Sequence, residues 1–319
     1  MSKIAITGIT GFVGSNIASV LTNFGHDVVG LVRNHKDGLA WDQRVVDFDS
    51  VESLTAGLEG CVAVVHCAIA NDFNRLVQDR EYAYDSYVGM TARVARASVA
   101  AGAHLVYIST DWVMDGTQRM SLETNPGNPI NLYGFLKAMG EQACRDIAPD
   151  SYAVCRIAGV MGMHRAADNP PRSQDVGFGY FVDSLVRELS SGGEFVVWGP
   201  DHVNEVTTPS LAAEIGAQID RVISRKAVGT FHLVGDDAVT RMQLAFATCD
   251  VFGLDRSKVK VGPVPESERF SAGVPVDSSL SNVATKRALG LGPTPLVALL
   301  QAFKIERETG VSQTLTKPE

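Results

Sequence analysis

Short apolar runs alternate with amphipathic stretches over the first half of the chain. The apolar runs are rich in β-branched residues, which is typical of strands buried in a parallel sheet, and the stretches between them repeat apolar positions at helical spacing. The predicted strands are residues 4–7, 27–32, 45–48, 62–67, 105–109 and 152–157, and the predicted helices are residues 11–24, 51–58, 82–101 and 132–148. This alternation predicts an α/β fold, a doubly wound parallel sheet with helices on both faces.

The alternation loosens after Gly159. Residues 161–179 contain adjacent prolines and many polar residues, which predicts a long loop of the kind that often lies beside a site. The elements predicted beyond this loop are helices at 181–190 and 211–224 and strands at 195–198 and 230–234. We therefore predict a first domain at residues 1–160 and a smaller, mixed domain at residues 161–319, with about residues 203–235 returning to the first sheet.

Composition describes an ordinary globular protein of 319 residues with 45% hydrophobic and 20% charged residues. No apolar run is long enough to span a bilayer, and no basic segment of a signal peptide precedes the first strand, so we expect no membrane association and a cytoplasmic location. A net charge of -8 without a Lys/Arg block argues against nucleic-acid binding. The five scattered cysteines predict buried thiols and no metal site.

A glycine-rich segment follows the first predicted strand. Residues Thr7 to Gly14 read T-G-I-T-G-F-V-G, with glycines at 8, 11 and 14, and they lead into the first predicted helix. Glycines at this spacing let the backbone turn tightly and approach a pyrophosphate, which the helix N-terminus attracts. The strand–turn–helix context favours a dinucleotide site in residues 1–160, although an ordinary glycine turn would share the spacing. Residues 161–319 would then bind the substrate.

Candidate chemistry lies at the end of the fifth predicted strand and in the helix that follows. Thr110 and Asp111 end that strand at the carboxyl edge of the sheet, where ligands of such folds bind. Tyr133 and Lys137 are four residues apart, so a helix places them on one face. A nearby ammonium lowers a tyrosine pKa from about 10 toward neutrality, and Tyr133 is then a general acid or base. The spacing alone also arises by chance.

Together these motifs resemble the extended short-chain dehydrogenases/reductases, whose members have a Rossmann fold. The likeness is strongest to dTDP-4-dehydrorhamnose reductases, since S-T-D-Y-V-F-D-G appears as residues 109–116, S-T-D-W-V-M-D-G, and N-x-Y-G-x-x-K as residues 131–137. The resemblance implies that Tyr133 protonates a carbonyl oxygen, Thr110 hydrogen-bonds it and Lys137 holds the nicotinamide ribose. Asp111 is either a second acid or a carboxylate that caps the loop.

The resemblance also implies a set of ligand-binding residues. The cofactor residues would be Gly8, Thr10, Gly11, Phe12, Val13, Gly14, Arg33, Asp47, Phe48, Cys67, Ala68, Ile69, Ala70, Tyr133 and Lys137, and the substrate residues Asn71, Trp112, Val113 and Arg172. The second strand ends in valine instead of the acidic residue that binds the ribose of NAD, and Arg33 follows it. Arg33 would bind the 2′-phosphate of NADPH, which makes NADPH the preferred cofactor. The alternative is that Arg33 is a solvated surface arginine. NADH is kept as the alternative cofactor.

Two departures from the family concern the proton path and the substrate. Ser86 stands where the family usually has asparagine, which would change a relay water. Gly159 stands where the reductases have a tryptophan of the sugar pocket, and the following loop holds His164, Arg165 and Arg172. Either arginine would clamp a diphosphate or remain solvated.

The leading hypothesis is an NADPH-dependent reductase of a small-molecule carbonyl substrate, in the first place a nucleotide-linked 4-keto-6-deoxy sugar. One alternative is a sugar-nucleotide epimerase or dehydratase with retained NAD(P), although dehydratases have glutamate where this chain has Trp112. Another is a non-catalytic, cofactor-binding regulatory subunit, as in the β subunit of methionine adenosyltransferase. The sequence leaves open whether the chain forms a homodimer.

Overall fold

The computed structural model describes residues 2–70, 73–166, 173–270 and 272–318. Its strands are β1 Lys3–Thr7, β2 Asp27–Val32, β3 Asp42–Val45, β4 Ala63–His66, β5 His104–Thr110, β6 Tyr152–Ile157, β7 Val160–Met161, β8 Phe195–Trp198, β9 Val206–Thr207, β10 Ser210–Leu211, β11 Gly229–His232, β12 Val239–Thr240 and β13 Val259–Gly262. Its α-helices are α1 Phe12–Asn23, α2 Val51–Gly57, α3 Phe73–Gln78, α4 Arg80–Tyr84, α5 Met90–Ala101, α6 Leu132–Ile147, α7 Phe181–Ser190, α8 Ala212–Ser224, α9 Arg241–Phe252, α10 Val283–Leu289 and α11 Leu296–Thr309.

Seven parallel strands form the central sheet in the order β11-β6-β5-β4-β1-β2-β3. Because side chains alternate along a strand, Ile4 and Ile6 of β1 pack with α1 and α8, whereas Ala5 faces the opposite layer with Val94 of α5 and Cys144 of α6. Helices thus cover both faces. The predicted doubly wound parallel sheet is confirmed.

The C-terminal half adds a second, smaller core. There β8 and β13 form a parallel pair, and α7, α9 and α11 pack their apolar faces around it. The strand β11 nevertheless joins the central sheet beside β6, so the chain crosses back after α8. The domain boundary near residue 160 stays a prediction. Within the described ranges, no helix combines the length and apolar character needed to cross a bilayer.

Two predicted elements differ from the structure. The strand predicted at residues 45–48 is β3 at Asp42–Val45, a polar edge strand, because the apolar signal came from Val46 and Phe48, which are buried just beyond its end. The helix predicted at 82–101 is divided by a π-helical turn at Asp85–Gly89, which separates α4 from α5.

Candidate active site

The glycine turn between β1 and α1 forms a cradle of backbone atoms. Gly8 has φ +68°, and a Cβ there would lie 2.8 Å from the amide nitrogen of Ala68. A Cβ on Gly14 would lie 2.3 Å from the carbonyl oxygen of Gly8, so α1 sits directly against the turn. Gly11 precedes α1 and offers no side chain to cap it. The first-turn amides therefore remain available to an anion, which fits the pyrophosphate of a dinucleotide.

The residues predicted to meet the adenosine half lie together at the ends of β2 and β3. Arg33 is exposed, and its guanidinium carbon lies 5.8 Å from the centre of the Phe48 ring. Asp47 is exposed beside Phe48. The arrangement presents one cation next to an aromatic face, which suits a phosphorylated adenosine.

Close packing brings α6 against the turn that follows β5. Asn131 caps α6 by accepting a hydrogen bond from the amide of Gly134 at 2.8 Å. A Cβ on Gly134 would lie 2.1 Å from the backbone oxygen of Trp112, so only glycine permits this approach. As a result, Tyr133 in the first turn of α6 and Thr110 at the end of β5 line the same cleft.

Lys137 lies one helical turn beyond Tyr133 and is buried. Its ammonium donates to the carbonyl oxygen of Ile108 and lies 4.2 Å from the centre of the Tyr107 ring. Burial lowers the pKa of Lys137 to about 8. Burial also raises the pKa of Tyr133 to about 12, opposite to the predicted direction. Burial of the phenolate and the nearby carboxylates of Asp111 and Asp175 together outweigh the lowering effect of the Thr110 hydroxyl, so Tyr133 is a neutral phenol at pH 7.

Asp111 occupies a buried position beside the same hydroxyl groups. Its carboxylate accepts hydrogen bonds from Thr110 Oγ1 at 3.0 Å and from Ser278 Oγ. Ser278 Oγ also lies 3.0 Å from Asn204 Oδ1. Burial raises the pKa of Asp111 to about 7, although its hydrogen bonds oppose the shift. The group can therefore gain or lose a proton near neutral pH.

These side chains line one cleft of about 580 Å³ at the carboxyl edge of the sheet. Nine predicted residues contribute to its wall: Phe12, Val13, Cys67, Ile69, Thr110, Asp111, Trp112, Tyr133 and Lys137. The wall also contains residues 157–160, at the end of β6, and residues 267–270, which follow β13. Among the latter, Phe270 packs edge-on against Trp112 with 5.8 Å between ring centres. The cleft joins the start of α1, beside the glycine turn, to the candidate acid–base groups.

Some predicted residues do not line this cleft. Val113 is fully buried with Met114 and Leu280, so the prediction that it contacts substrate is wrong: the turn after β5 points Trp112 to the cleft and Val113 to the core. Asn71 and Arg172 lie outside the described residues. The remaining predicted cofactor residues, Gly8, Thr10, Gly11, Gly14, Ala68 and Ala70, belong to the glycine turn and the adjoining loop after β4.

The loop after β7 holds the two other residues named from the sequence. Arg165 pairs with the fully buried Glu306 of α11 and also donates to the carbonyl of Gly310, so it is not a free clamp for a diphosphate. The ring centre of His164 lies 6.2 Å from that of Phe12. This loop packs against the start of α1.

Residues 175–180, at the end of the long loop predicted beside the site, form a second wall of the cleft, and none of them was named from the sequence. Asp175 Oδ1 accepts the amides of Gly177 and Gly179, each at 2.7 Å, and Phe178 and Tyr180 adopt positive φ angles of 69° and 55°. The buried Arg241 beneath the loop donates to its carbonyl oxygens. Because non-glycine residues rarely adopt such angles, surrounding contacts must hold the loop in shape. The D-x-G-x-G pattern was its only local signal.

Ser86 stands in the π-helical turn, at the position where the family usually has asparagine. It is buried, and its hydroxyl donates to the carbonyl oxygen of Tyr82 one turn earlier. The neighbouring Tyr87 packs edge-on against Tyr133, with ring centres 6.2 Å apart, and donates to the carbonyl of Ala70 at 2.9 Å. The Ser86 hydroxyl proton is thus engaged within its own helix.

Known proteins resemble this chain over most of its length. The family model described as the RmlD substrate binding domain matches residues 2–304. A dTDP-4-keto-6-deoxy-D-glucose reductase of Streptomyces niveus is 28% identical over 307 residues, covering 94% of this chain and 96% of that protein. The methionine adenosyltransferase 2 subunit beta of Rattus norvegicus is 26% identical over 293 residues, covering 91% of this chain and 83% of that protein.

A solved structure shares the fold. The dTDP-4-dehydrorhamnose reductase of Bacillus anthracis str. Ames, solved in complex with NADP, aligns with a TM-score of 0.76 at 23% sequence identity. The alignment covers 96% of this chain and 99% of that one. The agreement extends over both the central sheet and the C-terminal half.

Proposed function

The chain belongs to the RmlD substrate binding domain family, within the extended short-chain dehydrogenases/reductases, and we propose that it is an NADPH-dependent reductase of a nucleotide-linked 4-keto-6-deoxy sugar. The observation that carries the proposal is the convergence of Tyr133, Thr110 and Lys137 on one cleft that continues to the start of α1, beside the glycine turn. NADH is the alternative cofactor.

The chain's own residues fit a nicotinamide dinucleotide phosphate. The amides at the start of α1 would hold its pyrophosphate, Arg33 its 2′-phosphate and Lys137 its nicotinamide ribose. Cys67 and Ile69, which line the cleft between the glycine turn and the acid–base groups, would border the nicotinamide. When bound, the cofactor supplies the hydride.

Tyr133 would supply the proton for the reduction. A carbonyl oxygen gains negative charge as its carbon is reduced, and preorganised donors stabilise that charge. Because burial keeps the phenol of Tyr133 protonated at neutral pH, its O–H can donate to this oxygen. Thr110 lines the cleft with Tyr133 and would offer a second hydroxyl group to the same substrate oxygen. Lys137, on the same face of α6, adds a positive charge that favours the resulting phenolate.

The proposed substrate class is supported by the sequence relatives and by the shape of the cleft. The Streptomyces niveus relative is named for a dTDP-linked 4-keto-6-deoxy sugar. Trp112 and Phe270 present apolar surfaces beside the acid–base groups, as a deoxy sugar requires. Gly159 also lines the wall, and a glycine there leaves room where the reductases have a tryptophan. The nucleotide base and the sugar of the substrate therefore need to be varied separately in an assay.

A panel assay tests the proposal. NADPH oxidation is followed with dTDP- and UDP-linked 4-keto-6-deoxy sugars and with small ketones, using the wild type and the Tyr133→Phe variant. We expect turnover of at least one nucleotide-linked sugar and a kcat lower by about 10²–10⁴-fold in the variant. A folded wild type that binds NADPH and reduces no carbonyl would contradict the proposal, as would an equally active variant.

A second candidate is a regulatory subunit that binds a partner enzyme. It is motivated by the methionine adenosyltransferase 2 subunit beta, which is 26% identical over 91% of this chain. Co-purification with a stoichiometric partner, together with no turnover in the panel, would favour this role. A homodimer stays a prediction and can be measured in the same preparation by light scattering.

A further inference from the structure

A buried arginine lies behind the second wall of the cleft, residues 175–180. Arg241 begins α9, and only 1% of the residue is exposed. Its guanidinium donates to the carbonyl oxygens of Asp175 at 3.1 Å and Val176 at 2.7 Å, both in the wall. It also donates at 2.8 Å to the carbonyl oxygen of Asn204, which precedes β9. Arg241 thereby joins the wall to α9 and to the segment before β9.

Aromatic rings pack against the same guanidinium. Its central carbon lies 4.4 Å from the centre of the Phe178 ring and 5.6 Å from that of Phe181. Gln174 Oε1 accepts a further hydrogen bond at 3.4 Å. A buried guanidinium is costly unless acceptors meet its donors, and its planar fork suits several acceptors at fixed angles. The site therefore fits arginine better than lysine, whose three donors radiate from one point.

The wall that Arg241 holds touches both sides of the cleft. A Cβ on Gly177 would lie 2.7 Å from Cζ2 of Trp112, so the backbone of the wall lies directly against the indole. On the cofactor side, the ring centre of Tyr180 lies 5.4 Å from that of Phe12 in the first turn of α1. A displacement of the wall would therefore change the shape of the cleft beside Trp112 and beside the start of α1.

We propose that Arg241 is a positioning residue for the sugar of the substrate, because it holds residues 175–180 in shape from behind before the substrate binds. The inference rests on the proposed reductase function, which places a nucleotide-linked sugar in the cleft. Arg241 lies behind the wall and not in the lining of the cleft. It acts on the substrate only through the wall.

The wall needs such support because its own backbone is unfavourable. Gly177 and Gly179 give it conformational freedom, and two of its other residues have positive φ angles. Asp175 Oδ1 accepts the amides of both glycines at 2.7 Å, which closes the turn internally. Arg241 adds the connection between this turn and the body of the protein. A substrate that first had to order the wall would bind more weakly, since it would bear the entropy cost of ordering.

Two variants and a control test the inference. Arg241→Lys keeps the charge and loses the planar fork, whereas Arg241→Met keeps only apolar bulk. Thr248→Val is the matched control, because Thr248 is fully buried in the same helix and its hydroxyl donates to the carbonyl of Leu244 at 2.7 Å, within α9. Readouts are hydrogen–deuterium exchange of residues 175–180 in cofactor-free protein, the KM and kcat of the sugar reduced in the panel, and calorimetric binding of dTDP-glucose and UDP-glucose, which carry no keto group.

We expect exchange in residues 175–180 to be faster by about 10-fold or more in Arg241→Lys, because the wall opens more often. KM, and the Kd of the nucleotide-linked glucose that binds, should rise by about 10-fold, since the substrate must then order the wall. The kcat should change by less than about threefold, because Thr110, Tyr133 and Lys137 lie on other elements. Arg241→Met should show larger effects of the same kind, and Thr248→Val should leave exchange, KM and Kd at their wild-type values.

Different results would overturn the inference or the proposed function separately. A folded Arg241→Lys variant with wild-type exchange and wild-type KM would refute the inference while the reductase stands. Faster exchange with unchanged KM and Kd would also refute it, because the wall would then not position the sugar. An equal rise of KM in Thr248→Val would show that KM follows the stability of α9 and not the wall. A wild type that reduces nothing in the panel and binds neither nucleotide-linked glucose would refute the proposed function, and the exchange result would still decide whether Arg241 holds the wall.

Discussion

Replacing Gly134 with alanine tests whether close packing of α6 against the turn after β5 assembles the acid–base groups. A Cβ at this position would lie 2.1 Å from the backbone oxygen of Trp112, against at least 3.4 Å in ordinary contact, so the two segments must separate by about 1.3 Å. The backbone fixes where a Cβ lies, so no side-chain rotation relieves the overlap. The separation acts directly on Tyr133 and Thr110, which lie on opposite sides of it.

The expected magnitudes follow from that displacement. A misplacement of about 1 Å in a catalytic group costs on the order of 10²-fold in rate. For stability, overpacking costs about 1–3 kcal/mol, whereas alanine favours a helix over glycine by about 1 kcal/mol. The Gly134→Ala variant should therefore fold with a loss of at most about 2 kcal/mol, and its main defect should be catalytic.

Steady-state kinetics, NADPH titration and urea unfolding measure the three consequences. We expect kcat to fall about 10²-fold and NADPH affinity to fall less, because the glycine turn and Arg33, which would hold the phosphates, lie away from α6. Gly292→Ala is the matched control: this glycine is exposed and a Cβ there would meet nothing within 4 Å, so kcat should not change. A Gly134→Ala variant with wild-type kcat and increased stability would refute the packing argument.

Two further changes separate cofactor recognition from stability. Arg33→Ala should weaken NADPH binding by about 10-fold, the low end for a hydrogen bond to a charged group, and leave NADH binding unchanged. Fluorescence titration with both cofactors measures the two affinities. Equal losses of affinity for NADPH and NADH would mean that Arg33 does not bind the 2′-phosphate. Glu141→Gln breaks a buried pair with Arg156 at 2.8 Å and should cost about 3 kcal/mol. Burial would raise the pKa of Glu141, but Arg156 outweighs it and lowers that pKa, so the stabilisation from the pair is present above the unfolded pKa of glutamate and is lost as pH falls. Urea unfolding at neutral and acidic pH should therefore show a smaller difference in stability between wild type and variant at acidic pH. An equal difference at both pH values would contradict this prediction.

Local sequence signals predicted those parts of the site that lie within one turn or one helix. The glycine turn after β1 depends on backbone conformation, and the pair Tyr133 and Lys137 depends on helical spacing. Both features are determined by residues that are neighbours in the sequence. The third strand was predicted a few residues too late because Val46 and Phe48, which gave the apolar signal, are buried by packing and not by strand pairing. Val113 was misassigned because a tight turn sends adjacent side chains in different directions.

The surroundings of Asp111 could not be predicted locally. Ser278 meets it across 167 positions of chain, and Asn204 meets Ser278 across 74. Neither residue has a pattern around it that marks a partner, since any serine or asparagine can bond wherever the fold brings it. The raised pKa of Asp111 depends on burial, which likewise exists only once both halves have packed.

This long-range assembly has a consequence for how such a reductase changes substrate. Thr110 and Tyr133 come from the central sheet and its helix, but Ser278 and the loop at 175–180 come from the C-terminal half of the chain, which contributes a second wall of the cleft. A change in that half alters the hydrogen bonding and burial of Asp111 together with the shape of the cleft. Substrate preference and the pKa of Asp111 should therefore change together when these segments are exchanged.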